Sequence, residues 1–567
     1  MSTIEQLAEN YLLWDKDEKT RSQIQALVDQ GDKEGLTARL SGKLAFGTAG
    51  IRARVEGGFT RLNNLTVIQI THGFARHMRN VFGNGKISVA IGYDGRFDSK
   101  RFAEYASNVF IQNGIGVYLF SRVVPTPVTA FATTALKCEA GLMIIAPHDV
   151  EICRLAYAEP QPKDEYWNKD SIYQSPLLQS ADPAIDQYFE AELKRVLFKD
   201  INSKTPLKFT YSAFHGVGYE CTKRMFEGYG FRKENFISVK RQQDPDPTFS
   251  TVPFPNPEEG AKVLKLCFET ADENGSTVIL ANDPDADRIQ LAEKQSNGEW
   301  KVFTGNEMGT LLTWWVWKNW RERNPNADLS KTWILNSAVS SQVVKTIAGV
   351  EGFQNRTTLT GFKWMGNLAC ELRDQGDEII LAWEESIGFM PGSSLDKDGV
   401  IAAAMFAELA AWLETQGQSF ASQLLLLYKK YGFHLVKSSY FLVPNPGVTK
   451  QLFSDLRADL KYPSAIGNEK VKFVRDLTTG YDNQQKDNKA ILPLSTSSEM
   501  VTFTLENGSI ATLRASGTEP KIKYYIELIT EPGKEDVKEV LNELNQLECD
   551  VIETLLQPQK YNLIARS

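Results

Sequence analysis

Along most of the chain, short apolar runs alternate with stretches that carry apolar residues at helical spacing. Ile87–Tyr93, Gly116–Phe120 and Thr277–Ala281 are such runs, each followed by a loop rich in glycine or charged residues. Buried strands alternating with helices predict βα units with mixed or parallel sheets. The pattern resets near residue 183, where an amphipathic segment precedes Leu207–Tyr211, and again near 305, before a helix carrying Trp314, Trp315 and Trp317. Residues 3–40 place apolar positions at helical spacing and predict a helical N-terminal arm. From about residue 436 short strands and Pro or Asn turns predominate, closing with a helix between 533 and 556. The expected organisation is three α/β domains (1–185, 186–304, 305–435) and a smaller α+β domain (436–567).

Length agrees, since 567 residues exceed what one hydrophobic core serves. A net charge of −8 argues against a nucleic-acid or anionic-membrane partner, which would call for a basic face. No apolar stretch is long enough for a membrane span, and no signal peptide is evident at Met1–Glu5. The six cysteines are scattered without ligand-like spacing, as expected of reduced thiols in a cytoplasmic protein.

The chemistry lies in loops. Asp283-Pro284-Asp285-Ala286-Asp287-Arg288 follows a strand at once, and three carboxylates at alternate positions can converge on one hard cation. Oxygen-only ligands suit Mg2+ better than zinc. Arg288 can pair with a phosphate drawn in by the metal; a solvated acidic turn is the alternative reading. Arg514-Ala515-Ser516-Gly517-Thr518-Glu519-Pro520-Lys521 offers a guanidinium fork, hydroxyls and an ammonium to a phosphate, with Arg514, Ser516, Gly517, Thr518 and Lys521 as candidate donors. Trp383-Glu384-Glu385-Ser386 ends another apolar run, and its Glu384 and Ser386 suit sugar hydroxyls, although an acid-rich helix cap fits it as well. Phe46-Gly47-Thr48-Ala49-Gly50-Ile51-Arg52 is a fourth loop, glycine-rich and ending on a cation.

In this order and spacing the four loops resemble the α-D-phosphohexomutase family over nearly the whole chain. Thr360–Asn367, Asp396–Gly399 and Tyr211–Gly218 resemble its eukaryotic branch of phosphopentomutases and glucose-1,6-bisphosphate synthases. The resemblance implies three similar mixed-sheet α/β domains and a C-terminal α+β domain around a central cleft. It implies a phosphosugar mutase with Mg2+ on the aspartates, Arg52 in the active site, Lys363 reading the sugar and assisting proton transfer, and glucose 1,6-bisphosphate as activator. The implied partners are sugar phosphates, and the chain is expected as a monomer or weak homodimer.

One element departs from the family. Its members carry a nucleophilic serine in a Thr-Ala-Ser-His-Asn-Pro loop after a strand of the first domain. Here Glu139–Ile145 is followed by Ala146-Pro147-His148-Asp149-Val150-Glu151-Ile152. Laid directly on the motif, Pro147 takes the place of the serine; alternatively, the serine loop and the hairpin after it are deleted. Either way the nucleophile is absent. Ser121, Thr126, Ser171 and His148 are the nearby groups considered in its place, and none matches a catalytic loop. The expected outcome is a mutase by descent with activity lost or very low; the alternative is a phosphosugar-binding or regulatory pseudoenzyme.

Overall fold

The computed structural model describes residues 3–44, 53–144, 161–392, 394–494, 499–515 and 520–566. Packing divides the chain into two units, residues 1–302 with 388–412, and residues 303–387 with 413–567.

The first unit opens with the N-terminal arm, which forms three helices, Ile4–Trp14, Glu18–Asp29 and Lys33–Leu40. The interruptions follow from capping, because the Asp17 and Asp32 carboxylates accept from Lys19 N and Gly35 N and start new helices. The first sheet contains β1 (Ser88–Tyr93), β2 (Gly116–Leu119), β3 (Ala140–Ile144) and β4 (Leu178–Ser180), in the order β3-β1-β2-β4 and all parallel. Its core includes Val89, Ile91, Phe110, Val117 and Leu142.

The second sheet contains β5 (Phe209–Ser212), β6 (Phe236–Ser238), β7 (Val278–Asn282), β8 (Ile289–Lys294) and β9 (Trp300–Val302), in the order β6-β5-β7-β8-β9. β5 pairs in parallel with β6 and β7, and β8 returns antiparallel to β7. All five residues of β7 are buried, as a central strand covered on both faces requires. Burying each Ile or Leu there contributes about 1.5–3 kcal/mol, which fixes where the loop after β7 emerges.

In the second unit β10 (Thr332–Ser337) lies between β11 (Gln354–Thr358) and β12 (Glu378–Glu384), both parallel to it. The helix Gly305–Arg323 starts in a reciprocal capping box between Thr304 and Glu307. The β-strand Gly388–Met390 (β13) belongs to the first unit. The C-terminal region is an antiparallel sheet whose longest strands are β14 (His434–Leu442) and the segment Lys521–Ile529, and the helix Val537–Val551 packs on it. Three α/β sheets followed by a β-rich C-terminal domain match the fold class expected from the sequence. Among the described residues no helix is long and apolar enough to cross a membrane.

Candidate functional site: the acidic loop and its neighbours

The loop after β7 is held shut from beneath. Ala286 N–H donates to Asp283 O at 2.9 Å, and Ala286 takes a left-handed conformation at φ 57°. Val217 N–H donates to Pro284 O at 2.8 Å, and a Cβ on Gly216 would lie 2.2 Å from Pro284 Cα. Only a glycine lets that backbone approach. Asn282 Nδ2 donates to Arg288 O at 2.6 Å and is itself fixed by Tyr211 Oη on Asn282 Oδ1 at 2.7 Å.

This frame brings one oxygen each of Asp283, Asp285 and Asp287 within 4.8 Å of one another. Asp283 and Asp287 are buried and Asp285 is half-buried. Burial, and then the two neighbouring carboxylates, hold the Asp285 carboxyl well above the usual range. Burial also raises Asp283. Asp287 goes the other way: against burial, Lys397 and Arg288 hold it low, with Lys397 Nζ 2.8 Å from Asp287 Oδ2. Three carboxylates crowded at the cost of raising two of them make a seat for a hard divalent cation, whose charge relieves that repulsion. The donor set fits Mg2+.

Arg288 does not reach outward. Its Nε donates to Asp283 Oδ2 at 2.7 Å, its N–H to Asp283 Oδ1 at 3.0 Å, and its Nη1 to Glu258 at 2.6 Å. In this conformation it braces the loop and has its fork on carboxylates.

Two neighbours of the triad were not legible as such in the sequence. Thr126, first residue of the helix Thr126–Ala135, donates its Oγ1 to Asp285 Oδ2 at 2.7 Å and its N–H to Asp285 O at 2.9 Å. Lys397 comes from beyond β13, and Asp398 beside it accepts from Tyr188 Oη at 2.8 Å and Ile401 N–H at 2.9 Å. Ser171 is spent on structure, donating to Asn168 O at 2.8 Å. Ser121 stands exposed, with its N–H on Asp182.

In the second unit the Glu384–Ser386 loop ends β12. Glu385 is tied down by Ser337 Oγ at 2.8 Å and Ser340 Oγ at 3.0 Å. Glu384 Oε2 accepts from Gly361 N–H at 3.1 Å, which draws the start of the helix Phe362–Asp374 to this loop. Lys363 is exposed on the first turn of that helix, its Nζ 5.4 Å from the Trp364 ring centroid. Arg514 is the penultimate residue of one strand of the C-terminal sheet, Ile510–Ala515, and Lys521 begins the next, with Lys521 Nζ 4.6 Å from the Tyr440 ring centroid. Arg52, Ser516, Gly517, Thr518 and the segment Ala146–Ile152 lie outside the described residues.

Parallel-cored α/β sheets with an acidic triad between β7 and β8 define a class, α/β proteins with a carboxylate seat suited to a hard cation. Three consecutive segments, 43–151, 186–298 and 304–431, match alpha/beta/alpha domains I, II and III of phosphoglucomutase/phosphomannomutase. The chain belongs to the phosphoglucomutase/phosphomannomutase family of phosphosugar mutases. It is 42% identical to the phosphopentomutase of Homo sapiens, over 99% of this chain and 97% of that one. It is also 42% identical to the Homo sapiens glucose 1,6-bisphosphate synthase, over 98% and 95% of the two chains. The fold is similar to the crystal structure of a putative phosphomannomutase from Thermus Thermophilus, with TM-score 0.61 and 20% identity, covering 90% of this chain and 99% of that one.

Proposed function

We propose that this protein binds sugar phosphates and Mg2+ in the manner of a pentose- or hexose-phosphate mutase but has lost all or nearly all mutase turnover. The observation that carries the reading is a stretch without aliphatic hydroxyls. From Ala135 to Asp170 the chain has no Ser or Thr, and this span contains β3 and everything the chain offers where the family places its nucleophile. A deletion fits the length of the alignment with human phosphopentomutase. That alignment runs over 595 positions, so at least 28 of them face a gap in a chain of 567 residues.

What remains can bind. Asp283, Asp285 and Asp287 would hold Mg2+, which when bound neutralises charge on a phosphoryl group. Arg514, Ser516, Gly517, Thr518 and Lys521 are proposed to take the non-transferring phosphate. Glu384 and Ser386 would accept from and donate to sugar hydroxyls. Arg52 and Lys363 would orient the phosphoryl group, with Lys363 placed to move a proton at a sugar hydroxyl. Arg288 would reach the phosphate only after releasing Glu258.

Phosphate transfer between the 1-position and the terminal hydroxyl needs a group that takes the phosphate and later returns it. Without such a group the transfer is no longer split into two easier steps, and the loss spans many orders of magnitude. A cytoplasmic, monomeric or weakly dimeric protein with domain limits at 185, 304 and 435 completes the proposal.

The test is intact-mass spectrometry after incubation with glucose 1,6-bisphosphate and Mg2+, with calorimetric titration of glucose 1-phosphate alongside. The reading expects saturable binding and an unchanged mass. A stable phosphate adduct, on Thr126 above all, would overturn the loss of the relay. Absence of any binding would overturn the retained sugar-phosphate site.

A further inference from the structure

The second sheet has a further cavity, lined by none of the acidic-loop residues. It lies at β6, the edge strand, and has a volume of about 480 Å3. The helix Gly218–Gly228 connects β5 outward to β6, and the helix Lys265–Asn274 connects β6 back to β7 across β5. Right-handed crossovers run in opposite directions put the two helices on opposite faces, so the cavity spans the open edge between them. Its volume falls within the roughly 300–1,000 Å3 of small-molecule sites.

Its chemistry has two parts. The floor is aromatic: the half-buried rings of Phe236 and Tyr219 lie 6.1 Å apart, and Phe236 is backed by the buried Phe226, 5.0 Å away. The rim is cationic, with five Lys or Arg side chains against two Glu, on a chain whose net charge is −8. Lys223 is partly neutralised by Glu227 at 3.4 Å, and Arg232 is held by Thr205 O at 2.9 Å. Lys233 and Arg241 are exposed and pair with no carboxylate among the described residues. A rim with two uncommitted cations beside a ring-lined floor matches a ligand that is flat and apolar at one end and multiply anionic at the other.

We infer that this edge-strand cavity is a binding site for a nucleoside phosphate, its base on Phe236 and Tyr219 and its phosphates on Lys233 and Arg241. A sugar phosphate would leave the aromatic floor uncovered. The cavity shares no lining residue with the acidic loop, and the inference does not depend on whether the chain turns over.

The experiment is calorimetric titration of the full chain with ATP in low salt without Mg2+, repeated with inorganic tripolyphosphate. Saturable one-to-one ATP binding is expected, with tripolyphosphate at least tenfold weaker. The double variant K233E/R241E should bind ATP at least tenfold more weakly at an unchanged melting temperature, since both side chains are exposed. Hydrogen exchange on the unaltered chain should show ATP-dependent protection within residues 219–241. Equal affinity for tripolyphosphate, an unaffected double variant, protection elsewhere, displacement of ATP by glucose 1-phosphate, or no binding at millimolar ATP would each overturn the assignment.

Discussion

The first and second sheets are built on one plan and part company at one loop. In each, a first strand pairs in parallel with the two that follow it, β1 with β2 and β3, β5 with β6 and β7. In the second sheet the third strand runs into the Asp283–Arg288 loop and comes back antiparallel as β8. In the first, β3 runs into Ala146-Pro147-His148-Asp149, and among the described residues β1 is its strand partner. The second loop is braced on several sides, from Gly216 beneath to Lys397 beside it. The first has no hydroxyl to offer. On the proposed reading binding and turnover rest on different loops, so that one can be lost while the other's frame stands.

The largest effect should come from rebuilding the first loop. Inserting a Thr-Ala-Ser-His-Asn-Pro loop and its hairpin after Ile144 should raise mutase turnover by about three orders of magnitude or more. Adding Asp285→Ala to that protein should abolish the gain in the same coupled assay. If turnover rises and Asp285→Ala leaves it intact, the two loops do not work together.

Gly216→Ala attacks the frame of the second loop. Its Cβ would sit 2.2 Å from both Cα and O of Pro284, both backbone atoms, so the loop itself must move. A loss of about 3 kcal/mol or more in denaturant unfolding is expected, with weakened Mg2+ binding by calorimetry.

Asp398 behind Lys397 gives a pH signature of comparable size. Burial, with the Glu192 carboxylate nearby, lifts it to about 7. A carboxyl raised in the folded state supports the fold fully below its unfolded value near 4. That support is lost as pH rises from about 4 to about 7, up to about 4 kcal/mol in all. Asp398→Asn should flatten this slope in metal-free thermal melts and melt higher than the parent at pH 8. An unchanged slope would mean that Asp398 is ionised within the fold throughout. Smallest is Thr126→Val, which deletes the Oγ1 bond to Asp285 and should cost about 1 kcal/mol with a modest change in Mg2+ affinity.

What the sequence made legible follows from locality. Buried parallel strands are continuous apolar runs, so Ser88–Tyr93, Phe209–Ser212 and Val278–Asn282 stood out, as did a triad confined to five consecutive residues. Thr126 was visible only as part of an ordinary loop, because the strand order that sets it on Asp285 joins residues 159 positions apart. Lys397 was hidden for the same reason. Glu384 and Glu385 look alike in sequence, yet Ser337 and Ser340 occupy only the second. The N-terminal arm read as one helical stretch because Asp17 and Asp32 break it without breaking the apolar spacing.

The most direct measurement is a coupled mutase assay on the unaltered chain with Mg2+, glucose 1,6-bisphosphate, and either glucose 1-phosphate or ribose 1-phosphate as substrate. Loss of the relay predicts no turnover above the rate without enzyme, in protein that binds glucose 1-phosphate saturably. Turnover on the order of 10 s⁻¹, ordinary for an enzyme, would contradict it and show that another group carries the phosphate.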